Sequence, residues 1–234
     1  MQLSVRLEMI LEMAGTGTVI ADIGTDHGFI PLELVRRGAY ERALAMDVRK
    51  GPLARAEEHI RMAALEDRIE TRLSDGMDKM ELGEADTIVI AAMGGHLMAD
   101  ILTRGAACAR AARKIILSPH YDVEFFHQFL LDSGYKVEDE CWIFDENKYN
   151  VVICCRTLRD GEDGETWDPA EQMYGRIPLE QCQGTALRHA KKDLTNLKML
   201  AEKLSANEGE KSRAKLGEVK RQIEVVQDAI ARMS

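Results

Sequence analysis

Asp22-Ile23-Gly24-Thr25-Asp26-His27-Gly28-Phe29-Ile30-Pro31 follows a short apolar run, Thr18 to Ala21, and precedes a helical pattern. A strand, a tight turn and a helix N-terminus are expected there. Such a turn aims backbone N–H groups and the positive end of a helix dipole across itself, which suits a nucleotide-like or carboxylate-bearing ligand. A dinucleotide site wants Gly-x-Gly-x-x-Gly, whereas this turn reads Gly24-x-Asp26-x-Gly28. Asp26 puts a carboxylate where a pyrophosphate would sit, so a cationic ligand fits better than a dinucleotide.

S-adenosylmethionine is such a ligand, because its sulfonium and ammonium groups are positive. Arg42-Ala-Leu-Ala-Met-Asp47 is an apolar run closing on an acid about twenty residues after the turn, where a carboxylate can take both ribose hydroxyls. Val48 follows it at the pocket edge. Ile69 to Asp75-Gly76 ends on another acid, placed to accept from an adenine amino group. Ile88-Val-Ile-Ala-Ala92-Met93-Gly94-Gly95 is a buried strand opening into a glycine pair that lets backbone approach a ligand. An acid after a strand is usually a turn former or helix cap. Recurrence at four strand ends, on the edge where open α/β sheets bind ligands, favours one shared cofactor pocket. Its expected residues are Asp22, Gly24, Asp26, Asp47, Val48, Asp75, Gly76, Ala92, Met93 and Gly94.

Leu3-Ser4-x-Arg6-Leu7, the Asp22 to Pro31 segment, Gly83-Glu-Ala-Asp86 leading into Ile90-Ala-Ala-Met-Gly-Gly95, and Tyr149 together resemble the bacterial tRNA adenine N1-methyltransferases that act at position 22. The similarity runs over nearly the whole chain, and Asp-Ile-Gly-x-Asp-His separates that family from methyltransferases with a Gly-x-Gly-x-Gly turn. Two departures stand out. This chain has Ala91-Ala92-Met93-Gly94-Gly95 for Ala-Gly-Met-Gly-Gly, and Ser118-Pro119-His120 for Gln-Pro-Asn. The resemblance implies an α/β fold, a Rossmann-like class I methyltransferase sheet with a C-terminal antiparallel helical coiled-coil domain. It implies an S-adenosylmethionine-dependent enzyme without a metal, with tRNA as partner, no membrane and no obligate protein partner. Asp26 and His27 are the catalytic candidates, Asp26 being the acid closest in sequence to where cofactor and base should meet. Arg6, Met93, Gly95, Ser118, His120, Lys191 and Lys192 are the candidates for substrate contact.

Composition agrees with a cytoplasmic enzyme. The 234 residues, 45% apolar, can bury one α/β core plus a smaller appendage. No apolar stretch approaches the roughly 20 residues of a membrane span, and no signal-peptide core is expected at the N-terminus. The 5 cysteines form no Cys-x-x-Cys pair or even disulfide framework, and the 6 histidines lack zinc-ligand spacing. A net charge of −9 is awkward for binding a polyanion. Of the 31 Lys and Arg, however, 11 lie from Leu179 onward, against 8 of the 40 Asp and Glu, so the tail is the basic part.

Strands are expected near Thr18–Ile23, Arg42–Asp47, Arg68–Leu73, Thr87–Ala92 and Lys114–Leu117. Helices are expected over Ser4–Ala14, Phe29–Arg37, Pro52–Ala64, His96–Thr103 and Val123–Leu131. Tyr135–Phe144 and Tyr149–Thr157 read as a hairpin around Asp145-Glu-Asn-Lys148. Acidic Arg159–Glu165 marks a boundary between a catalytic domain, 1–165, and a helical tail, 166–234. In that tail Leu187, Ala190, Leu194, Leu197, Ala201 and Leu204 form one seam, and Leu216, Val219, Ile223, Val226, Ile230 and Met233 another, joined by a turn around Asn207-Glu-Gly209. A small-molecule methyltransferase or nicotinamide oxidoreductase would share the sheet without needing a basic arm. A non-catalytic nucleotide-binding module would use the coiled coil to dock a protein.

Overall fold

The computed structural model describes residues 3–206 and 209–234; Asn207 and Glu208, at the expected tail turn, lie outside the described residues. Helix α1 (Val5–Ala14) begins where the Ser4 hydroxyl accepts a hydrogen bond from the Leu7 N–H at 3.3 Å. Its Ile10, Leu11 and Ala14 are buried. The parallel strands are β1 (Gly17–Ile23), β2 (Tyr40–Asp47), β3 (Ile69–Leu73), β4 (Thr87–Met93) and β5 (Lys114–Pro119). An antiparallel pair, β6 (Tyr135–Asp145) and β7 (Lys148–Thr157), completes a 7-stranded sheet of order β3-β2-β1-β4-β5-β7-β6. The chain moves outward from β1 to β3 and then crosses back to β4 on the other side of β1. Ligands of open α/β sheets bind outside the strand ends at that reversal.

Crossovers are made by α2 (Phe29–Arg36), α3 (Lys50–Met62), α4 (Gly95–Arg104) with α5 (Ala106–Ala111), and α6 (Val123–Asp132). Strand side chains alternate between two apolar layers, as period-2 geometry requires. Ala21, Ile23, Leu44, Met46, Ile88 and Ile90 face one layer, and Ile20, Ala43, Ala45 and Val89 face the other with α1. Both faces are therefore covered, which is why these strands read as nearly continuous apolar runs.

The expected hairpin is present with a two-residue loop, Glu146-Asn147, whose φ values of 49° and 61° are those a tight turn between twisted strands needs. Because β7 runs antiparallel to β5, this loop lies on the same edge of the sheet as the carboxyl ends of β1 and β4.

Four helices follow the acidic stretch: α7 (Pro169–Tyr174), α8 (Arg176–Glu180), α9 (Gly184–Ser205) and α10 (Glu210–Arg232). The Cys182 thiol, just before α9, donates to the Arg232 carbonyl at the end of α10 over 3.6 Å, so the two long helices run antiparallel. All twelve seam positions are buried or half-buried, and Lys191, Lys192, Lys198, Lys220 and Arg221 are exposed. Trp167, Tyr174, Leu179, Ala186, Ala190, Val226, Ala229 and Met233 belong to the same apolar cluster as the sheet residues. The boundary at 159–165 is thus a change of composition over a continuous core. Polar ties cross it: Trp142 Nε1 donates to the Tyr174 carbonyl at 2.7 Å and Gln183 Nε2 to the Glu140 carbonyl at 2.8 Å. His127 Nε2 lies 2.8 Å from Glu140 Oε1 with both side chains fully buried. Burial lowers the His127 pKa, but the Glu140 carboxylate outweighs it, and the net direction is upward.

Candidate active site

Asp22 sits where β1 ends and is only 5% exposed. Burial pushes its carboxyl up to about 6, partly offset by the Thr25 hydroxyl and reinforced by negative Asp47. Asp47 closes the neighbouring strand, 6% exposed, and its Oδ1 accepts from the Arg49 N–H at 2.6 Å. Two acids buried side by side are a poor arrangement for the protein alone and a good one for a cation with hydroxyl groups.

The turn after β1 differs from its expected form in one respect. The N–H groups of Gly24 and Thr25 both donate to the Met46 carbonyl, at 2.7 and 2.9 Å, so they tie β1 to β2 and do not point at a ligand. Gly24 has φ 79°, and a Cβ there would lie 1.9 Å from the Met93 methyl, so only glycine lets Met93 cover the turn. Asp26 lies higher, at the rim, with its side chain 63% exposed, 2.8 Å from an Arg55 guanidinium nitrogen. That hydrogen bond holds its pKa below the usual carboxylate range. His27 Nε2 is 3.6 Å from the same Asp26 oxygen, and its ring stacks on Phe29 and His59 at 5.3 and 5.6 Å. The deep acid of the turn is therefore Asp22, and Asp26 with His27 forms the rim.

A cavity of about 350 Å³ opens over these residues, lined by Arg6, Asp22, Gly24, Asp26, His27 and Ala92 from among the expected ones. Ser4, Leu7, Phe29, Ile30, Ala91 and Glu146 also line it. Sequence reasoning missed these. All but Glu146 lie in the segments that carry the family resemblance, and Glu146 carried a signal of its own, since a hairpin finishing this sheet must place its tip beside the strand ends. Arg6 Nη1 is buried without a hydrogen-bond partner, and burial lowers the Arg6 pKa against the pull of Asp145 and Glu146. The Arg6 N–H donates to Asp145 Oδ2 at 3.1 Å, which fixes α1 to the hairpin.

The remaining expected residues do not line this cavity. Val48 is 58% exposed and Leu73 38%, leaving apolar surface open beside Asp47. Asp75 is also exposed and pairs with Arg104 at 2.9 Å, whereas Gly76 is buried with φ 56°. Ala92 has φ 62° at a register shift in β4, a conformation alanine rarely adopts. The carbonyl of Met93 accepts from the His120 N–H at 2.8 Å, and the Gly95 N–H donates to the Tyr121 carbonyl at 3.1 Å. Gly94 caps α4, and Ser118 is fully buried with its hydroxyl unpartnered. Lys191 and Lys192 stand apart on α9, though Lys192 Nζ lies 5.4 Å over the Tyr149 ring near the tip of the hairpin. Among the described residues no group of three or more His, Cys, Asp or Glu could hold a metal ion. Among them, too, no helix is long and apolar enough to cross a membrane.

Residues 3–153 match the family model described as a methyltransferase domain. The chain is 28% identical over 232 residues to the tRNA (adenine(22)-N(1))-methyltransferase of Bacillus subtilis (strain 168), covering 98% of each. It superposes on the crystal structure of the m1A22 tRNA methyltransferase of Bacillus subtilis with a TM-score of 0.87 at 27% identity, covering 98% of this chain and 99% of that one. A Streptococcus pneumoniae protein in complex with S-adenosyl-L-methionine superposes with a TM-score of 0.86 at 22% identity, over 98% of this chain and 100% of that one. The sheet order, the acids at adjoining strand ends and the model match over most of the chain agree: the chain belongs to the methyltransferase domain family.

Proposed function

We propose that this chain transfers the methyl group of S-adenosylmethionine to N1 of an adenine in tRNA, at position 22 as in its Bacillus relative. The observation that carries the cofactor assignment is buried Asp22 in the wall of a cavity that also holds an unpartnered Arg6 nitrogen, with a second buried acid, Asp47, within electrostatic reach of Asp22. Asp22 takes the ammonium group, Arg6 the carboxylate and Asp47 the ribose hydroxyls, while Val48 and the Asp75-Gly76 turn bound the adenine. A charge-assisted hydrogen bond of this kind contributes roughly 1.5–3 kcal/mol. When bound, the cofactor supplies an electrophilic methyl group on a sulfonium.

Adenine N1 carries an in-plane lone pair, so no residue has to remove a proton first. The protein's task is to draw the nucleotide out of its stem and hold N1 in line with the methyl group. Asp26, kept ionised by Arg55, accepts from the adenine amino group as positive charge builds on the purine. His27 and the Met93–Gly95 loop shape the base slot, with Ser118 and His120 behind that loop. Loss of a buried preorganised group costs roughly 10²–10³ in turnover. Asp26 is largely exposed and solvent-screened, so Asp26→Asn is expected to slow single-turnover methylation by only about tenfold.

The tRNA body is assigned to α9. Tyr149 stacks on His189 with ring centroids 4.6 Å apart and 10° between planes, pinning the start of α9 to the hairpin whose tip lines the cavity. Lys191 and Lys192 lie next to that joint and contact phosphates. A tRNA substrate places the enzyme in the cytoplasm. The test is transfer of a labelled methyl group to unmodified tRNA, followed by nucleoside digestion. Label in 1-methyladenosine is the expected result, and label in another nucleoside or only in small molecules would overturn the assignment.

A further inference from the structure

Tyr121 follows β5 on the edge of the sheet where β4 also ends, with 64% of its surface exposed. The loop that carries it is not loose, because two backbone hydrogen bonds tie it to the glycine loop: the His120 N–H donates to the Met93 carbonyl, and the Tyr121 carbonyl accepts from the Gly95 N–H. Gly94 has no side chain to hold the ring away. A Cβ there would come within 2.4 Å of Tyr121 Cε2. The ring edge therefore rests on Gly94, and the rest of the ring faces solvent. One turn away the His96 and Phe125 rings lie with centroids 3.8 Å apart, at 68% side-chain and 41% residue exposure. Three exposed rings, one on the loop after β5 and one each in the first turns of α4 and α6, are more aromatic surface than packing needs there.

The polar surroundings favour a nucleic acid over an apolar partner. Burial, with the charges of Arg6 and Lys148, holds His120 below its ordinary pKa against the pull of Glu146, so two cations and one acid lie within electrostatic reach of this loop. Aromatic faces with cations in excess nearby are what single-stranded bases and their phosphates recognise, and stacking is tolerant of base identity.

We propose that Tyr121, with the His96–Phe125 pair beside it, is a stacking platform for an unpaired base next to the target adenine, taken up when the target is drawn into the cavity. This rests on the tRNA reading given above. It assigns the ring a task that neither cofactor binding nor the methyl transfer requires: holding the strand open.

The test is steady-state methylation of unmodified tRNA by the full chain carrying Tyr121→Ala, Tyr121→Leu or Tyr121→Phe, with cofactor affinity measured by calorimetry. Stacking on one aromatic residue corresponds to a factor of roughly 5–150. Tyr121→Ala and Tyr121→Leu should lower kcat/KM for tRNA by about tenfold or more within that range, and Tyr121→Phe should recover most of it, with cofactor affinity unmoved in all three. Leucine keeps the apolar packing on Gly94, so it carries the test if the alanine variant fails to fold. Wild-type efficiency in Tyr121→Leu would show that the ring only packs, and would overturn the platform while leaving the tRNA assignment standing. If the wild-type enzyme itself puts no label into tRNA, that assignment fails and the platform falls with it.

Discussion

Asp22 holds its proton to about pH 6 because water is excluded from it, and this sets a measurable cost on the ligand-free protein. Its folded pKa is raised, so the stability linked to it is fully present below about pH 4 and is lost as the pH climbs through 6. The shift corresponds to roughly 3 kcal/mol as an upper bound at neutral pH. Asp22→Asn should therefore make the ligand-free protein more resistant to urea at pH 7 and leave it nearly unchanged at pH 4, while weakening S-adenosylmethionine binding at least tenfold. Equal urea midpoints for both proteins at pH 7 would contradict the burial argument. Ala92 stores a second local cost, since its φ of 62° crowds its Cβ against the following carbonyl. Ala92→Gly is expected to raise unfolding free energy by about 0.5–1 kcal/mol in a denaturant titration, a modest gain because glycine also loosens the unfolded chain. At this scale the sequence shows which strands end on acids, because apolar runs end where side chains meet solvent. It does not show that Arg55 neutralises Asp26, because that pairing depends on how α3 docks against the turn.

The hairpin β6–β7 was legible as an element because two β-rich runs flank a polar pair. Its loop is occupied by Glu146 and Asn147, both at positive φ, where Asn-Gly is the preferred pair. Glu146→Asn combined with Asn147→Gly should stabilise the fold by about 0.5–1 kcal/mol in the same titration. It also removes a carboxylate from the cavity wall, so a change in KM for tRNA without a change in cofactor affinity would mark Glu146 as a substrate contact. The shorter helices were not legible. α5, α7 and α8 have 6, 6 and 5 residues, too few for a 3.6-residue period to emerge. α7 nevertheless announces its start, since Asp168-Pro169-Ala170-Glu171 forms a capping box with both reciprocal hydrogen bonds in place, at 3.0 and 2.8 Å.

Across the whole molecule, the change in composition near residue 160 was visible in the sequence, and the continuity of the core beneath it was not. Packing between elements distant in sequence leaves no local pattern. Truncation after Pro178 would remove Ala186, Ala190, Val226, Ala229 and Met233 from the shared cluster and uncover Trp142 and Tyr174. Its thermal midpoint should fall by 10 °C or so, since losing several buried side chains costs several kcal/mol. Exposed charge is the cleaner way to test the tail. Lys191→Glu with Lys192→Glu should leave the thermal midpoint within a degree or two, weaken tRNA binding severalfold or more and flatten its salt dependence. An unchanged salt slope would take α9 out of the RNA interface.

The buried meeting of α6, β6 and the start of α8 also bears on how this chain can diverge. His127 and Glu140 face each other with no access to water, and a Cβ at Gly175 would overlap the Glu140 carboxylate. Removing either partner of a buried charged pair costs roughly 3–5 kcal/mol, much of a domain's net stability. No single mutational step away from the trio is neutral, although a joint replacement by apolar residues of similar volume can be. Drift at these three positions should therefore be correlated among descendants of this chain: histidine, glutamate and glycine kept together or exchanged together, while the surface around them varies freely.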